Sequence, residues 1–131
     1  MSFYADTKAH FETSGLIAGF TVQPMYADEV WTSTPANRYL VIRVIGGAGD
    51  QFVRNATLQV MFLSGINDAN LSQVANAAES LLKWLLTTAN ATDGGCIINY
   101  ELLTDVNGPV FTASGRCQYW FELRAKSINT Q

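Results

Sequence analysis

His10, Cys96, Cys117, Asp50 and the glycines of "GGAGD" (residues 46–50) are the groups in this chain with any claim to chemistry. A zinc site needs three or four ligands at matched spacing. His10 is the single histidine, on a helical stretch with no Cys or His at ligand distance along the chain, so it reads as a structural side chain. Gly46, Gly47 and Gly49 would free backbone N–H groups to cradle a phosphate, but no Lys-Ser/Thr follows them and they open no helix. The stretch reads better as a flexible hairpin tip. Asp50 closes it, yet the other acids are spread singly and form no general acid and base pair. Cys117 falls on the apolar face of an alternating stretch, where a thiol stays protonated and inert. These residues predict a protein that is not an enzyme and that holds no metal or cofactor.

Composition narrows the class. The chain has 131 residues, 48% hydrophobic and 15% charged, and a net charge of −3. That describes one globular domain spanning 1–131, with a charge-poor surface. Eight scattered Lys and Arg residues give no basic patch for nucleic acid, although an acidic surface lets DNA pass without sticking. Apolar runs such as "LLKWLL" are far below the ~20 residues of a membrane span. Asp6, His10 and Glu12 interrupt any leader-like pattern, so synthesis and folding are expected in a cytoplasm. A disulfide is disfavoured there.

The positioning elements follow from periodicity. Ser2 can cap a helix through "FYADTKAHFETS", with Gly15 ending it. Residues 16–37 read as irregular, with a short strand near Thr21–Gln23 and turns or edges at Pro24 and Pro35. "RYLVIRVI" alternates Leu40, Ile42 and Val44 against Tyr39, Val41, Arg43 and Ile45, a second face too apolar to be simply wet. "GGAGD" then breaks the strand, and "TLQVMFLSG" supplies its hairpin partner. From Asn70 to Ala89, Leu71, Val74, Ala75, Ala78, Leu81, Leu82 and Leu85 make one apolar helical stripe, with Trp84 toward its edge. Asn67, Asp68 and Asn70 offer caps, and Gly94 and Gly95 a left-handed stop. Asn107–Gly108 is a strong hairpin signal. A turn there sets Ile98 opposite Cys117 and Tyr100 opposite Gly115, and leaves Cys96 only diagonal to Cys117. The order predicts an α+β fold: a mainly antiparallel sheet of two hairpins, with an amino-terminal helix and one long helix packed on one face.

"RCQYWFELR" (116–124) then poses a problem. Its apolar row is Cys117, Tyr119, Phe121 and Leu123, yet the opposite row, Arg116, Gln118, Trp120, Glu122 and Arg124, carries the largest apolar side chain. Burying a tryptophan removes on the order of 150–250 Å² from water, worth several kcal/mol at ~25 cal/mol/Å². Trp and Arg are also frequent interface anchors. The expected subunit interface is therefore Arg43, Gln59, Asn99, Glu101, Arg116, Gln118, Trp120, Glu122 and Arg124, with Glu101 diagonal to Arg116. Gly46, Gly47, Gly49 and Asp50 are expected as a mobile docking loop. The alternative cover for Trp120 is the amino-terminal helix or the 16–37 segment of the same chain.

This order, with "RYLVIRV", "LQVMFL", the Ala/Leu helix from Asn70 and the closing "YELLTDVNGPVFTASGRCQYWFEL", resembles the tail terminator proteins of long-tailed, lambda-type bacteriophages. The closing stretch is similar in kind to that family's last two strands: an Asp-and-Gly turn, an aromatic, a small polar run, then an alternating strand. The resemblance implies a structural virion protein of the tail, assembled in the host cytoplasm. It implies a homo-oligomer, a hexameric ring that caps the tail tube, stops its polymerisation and docks the head completion protein, with DNA passing through. No individual functional residue of the family is carried over. Two other readings stay open: another head–tail joining or completion protein, and a small-ligand-binding α+β domain using the Gly46–Asp50 hairpin.

Overall fold

The computed structural model describes residues 3–23, 37–49, 53–66, 68, 70–87, 97–111 and 115–128. Ser2, Asp50, Asn67, Gly94, Gly95, Cys96 and both Pro24 and Pro35 lie outside them, as do the side chains of His10 and Asn99. The elements are α1 (Phe3–Thr13), β1 (Thr21–Gln23), β2 (Tyr39–Gly49), β3 (Val53–Leu63), α2 (Leu71–Thr87), β4 (Ile97–Phe111) and β5 (Cys117–Ile128). The strands form one five-stranded sheet in the order β1-β2-β3-β5-β4. β1 runs parallel to β2, and every other pairing is antiparallel. The sheet is therefore mixed, in an α+β chain.

Strand alternation chooses the faces. Leu40 and Ile42 of β2, Leu58, Val60 and Phe62 of β3, and Phe121, Leu123 and Ala125 of β5 join one buried cluster with α2 and α1. The stripe of α2 contributes Val74, Ala78, Leu81, Leu82 and Leu85, and Trp84 packs at its margin. Phe11 of α1 is buried beside Tyr100 of β4, with ring centroids 6.2 Å apart. Phe20 meets Phe62 edge-on at 5.1 Å. Each such fully buried aliphatic or aromatic side chain contributes about 1.5–3 kcal/mol relative to exposure.

Two expectations about turns are corrected. The glycines of "GGAGD" do not break β2: Gly47 pairs with Ala56 and Gly49 with Arg54, after a bulge in which Ile45 and Gly46 oppose Thr57. Gly46, Gly47 and Gly49 thus belong to a strand rather than a loop, because the ladder to β3 supplies their backbone partners and the bulge absorbs the extra residue. Likewise Asn107–Gly108 is not the β4–β5 turn. β4 continues to Phe111, which pairs with Cys117, and Tyr100 pairs with Ala125.

The reason is tertiary. β5 is an interior strand that pairs eleven of its residues with β3, and a long β4 lines its other side. A local turn signal cannot compete with that burial. Gly108 still uses its freedom: its φ is +125°, and an added Cβ would stand 2.6 Å from the Gln118 carbonyl oxygen. The backbone of β4 passes too close to β5 there for any side chain. Four register shifts along β4 take up the slack. Tyr100 slips by ten residues from its expected partner, Gly115 to Ala125. Ten is even, so it keeps its face and packs against the main cluster as alternation requires.

Candidate functional site

The second face of the sheet is graded along the strands. At one end Tyr39, Val41, Met61 and Leu63 are buried together, and Trp120 packs partly buried against them. The register places Met61 beside Trp120 and Asn107 on its other side. Trp120 therefore does not stand alone among wet neighbours; it shields a small apolar cluster with part of its ring and leaves the rest accessible. The next row across the sheet is polar. Arg43 Nη1 donates to Gln59 Oε1 at 3.2 Å, Gln59 pairs in register with Glu122, and Thr104 Oγ1 donates to Glu122 Oε1 at 3.3 Å. One row further, Arg124 and Glu101 face each other at 4.0 Å, with 49% and 67% of their side-chain surfaces exposed.

The expected interface residues thus divide. Arg43 hydrogen-bonds Gln59, which pairs in register with Glu122, Arg124 and Glu101 pair beside this row, and Gln118 and Trp120 lie half-buried toward the apolar end. Asn99 pairs with Lys126 on the sheet margin.

Arg116 is the exception and a correction. It precedes β5 rather than lying in the outward row, and it is fully buried. Its Nη1 donates to the carbonyl oxygens of Asn37 and Ser64, and its guanidinium lies 4.9 Å from the Tyr39 ring centroid. Burial depresses its pKa, and the neighbouring Tyr39 opposes that shift. Carbonyl dipoles and an aromatic face hold this charge inside the protein. Glu101 meets Arg124, not Arg116, because the true register moves it along β5. Alternation could not reveal this, since it assigns faces and not partners.

A second polar lock fixes the start of α2. Arg38 grips Asp68 with Nε to Oδ2 at 2.8 Å and Nη2 to Oδ1 at 3.0 Å, while its Nη1 donates to Gln73 Oε1. The backbone N–H groups of Gly65 and Asn70 also donate to Asp68. The hydrogen bonds from Arg38 hold the Asp68 carboxyl well below the usual carboxylate range, against the opposing effect of burial, with Asn70 and Gly65 adding to them. Sequence reading named Asp68 only as a cap. Its partner lies thirty positions away, which no local signal encodes.

Cys117 is a buried free thiol whose backbone is tied to Ser64. Among the described residues no group of three or more His, Cys, Asp or Glu stands close enough to hold a metal ion. No helix among them is long and apolar enough to cross a membrane. What the molecule does present is a graded sheet face and apolar side chains exposed at the sheet margins, with Phe111 63% exposed.

Comparison with curated proteins returns no match. A family described as Phage tail termination protein matches residues 1–129, nearly the whole chain. This chain therefore belongs to the phage tail termination protein family, a structural protein of the viral tail.

Proposed function

We propose that this protein forms a ring on the last ring of a phage tail tube, ends the tube's growth and offers its far side to the head completion protein. The observation that carries the reading is the family match over residues 1–129. A tube grows because each added ring presents the surface that its predecessor presented. A ring that binds that surface on one side and presents different chemistry on the other stops the process without any covalent step. The ring is a hexamer of this chain in this reading, and it needs no catalytic group, metal or cofactor.

Two physical features support it. The outer row from Arg43 through Gln59, Glu122 and Arg124 is a pre-paired polar surface on a rigid sheet, suited to meeting other proteins of the assembly. A net charge of −3 keeps a polyphosphate moving through the lumen, because attraction to DNA comes mainly from released counterions at Lys and Arg contacts. Removing the gene from the phage that encodes it should yield tails longer than normal and of uneven length by electron microscopy. Purified protein added to polymerising tube subunits should restore a uniform length. Tails of normal length without the protein would end this reading.

A further inference from the structure

The sheet has two open margins, and they are unlike. β4 is the last strand at one side. At the other, β1 covers only Tyr39–Val41 of β2, so from Ile42 onward β2 pairs with no further described strand. Open edges ordinarily invite strand addition, but the four register shifts in β4 leave unbroken register only over Asn99–Leu102 and Val110–Phe111. Side chains, rather than backbone, must then carry any contact made there.

Those side chains form a socket and a plug. On the β4 side, a groove of about 440 Å³ runs between α2 and β4, floored by Leu82, Leu86, Leu102 and Val106. Leu86 is 38% and Leu102 39% exposed. On the β2 side, Val44 beside the bulge is 40% exposed and Ile45 within it 47% exposed. Charge agrees with shape. The groove is rimmed by Glu79, Asp105 and Lys83, acidic on balance, and Arg43 adjoins the plug, exposed beside Gln59.

We infer that Val44 and Ile45, at the start of the β2 bulge of one copy, seat in the α2–β4 groove of the next, with Arg43 against the acidic rim. A second copy is the occupant because both halves are carried by every molecule, on opposite margins of one sheet. A patch-to-same-patch pairing would set groove against groove and leave both unfilled. Unlike patches joined head to tail make a heterologous contact, which closes into a ring when the rotation per subunit allows. The inference rests on the ring reading above and gives it its subunit contact. Arg43 links this contact to the outer row, whose remaining residues stay free for other partners.

The test follows from the asymmetry. Sedimentation across a concentration range should show the unmodified protein assembling beyond dimers. Ile45→Glu (plug lost) and Leu86→Glu (socket lost) should each weaken assembly at least ten-fold, with unchanged circular dichroism and thermal midpoint. Mixing the two variants should give a one-to-one dimer and nothing larger, because each retains the half that the other lacks. If Leu86→Glu does not fold, Leu102→Lys tests the same groove. Single variants that assemble like the parent, or a mixture without dimer, would overturn the contact, as would a parent that stays monomeric throughout. Tube length in the gene-removal experiment is read independently, so the termination reading can survive the loss of this contact.

Discussion

The two faces of the sheet are built from the same strands in alternate positions, yet they are used differently. The face under α1 and α2 carries one buried apolar cluster that runs through β2, β3 and β5. Among the described residues, the opposite face carries its buried apolar cluster where Tyr39, Val41, Met61 and Leu63 meet Trp120. It then turns polar at the Arg43–Gln59–Glu122 row. The difference separates two tasks. A continuous apolar face holds the subunit together, whereas a graded one keeps a surface in reach of partners on a frame that is already rigid.

The largest test of that contrast sets neighbouring residues of β5 against each other. Phe121→Ala, on the helix-covered face, should cost about 4 kcal/mol of stability, as large-to-small changes in well-packed cores do. Trp120→Ala should cost about half as much, roughly 2 kcal/mol, because only part of its ring packs on the second cluster, and the protein should stay folded. Urea unfolding of both variants measures the difference. Equal losses would make Trp120 a core residue and erase the distinction between the faces.

A middle-sized effect concerns how α2 is seated on the continuous face. Arg38 keeps the Asp68 carboxyl ionised well below its ordinary range, so the folded chain takes up that proton at lower pH than the unfolded chain does. The stability from this group is complete above about pH 5. It declines as the pH falls from there toward the depressed folded value. Asp68→Asn should cost about 2 kcal/mol at pH 7, and the gap to the parent should narrow at pH 3. A gap of the same size at both values would mean that the charge contributes nothing.

The smallest effect belongs to the polar end. Glu101→Gln should change stability by less than about 0.5 kcal/mol, as exposed ion pairs do, since the pair spans 4.0 Å with both side chains largely in water. A measurable loss of assembly without loss of stability would show that this end of the face touches a partner.

Much of the fold is legible residue by residue. Recurrence at three and four places α2 nearly to its ends, from Leu71 to Thr87 against an expected Asn70 to Ala89. Alternation assigns Leu40, Ile42, Leu58, Val60, Phe62, Phe121 and Leu123 to one buried face. Even the misplaced β4–β5 turn leaves Tyr100 on its proper side, because the slip is an even number of positions. The candidate surface is less legible. Arg116 looks like an outward residue from its neighbours and is buried in fact, while the exposed Val44 and Ile45 look like strand interior.

Local periodicity is a property of a few consecutive residues, so the chain alone settles which stretches coil, which extend and which side chains share a face. Pairing partners are settled by contacts between residues far apart in the chain. Asn37 and Ser64 meet Arg116, Arg38 meets Asp68, and β4 runs past its own turn signal to line β5, which lies between it and β3. Those choices belong to the three-dimensional packing, because each depends on the burial gained by the whole sheet and not on any segment's own preference.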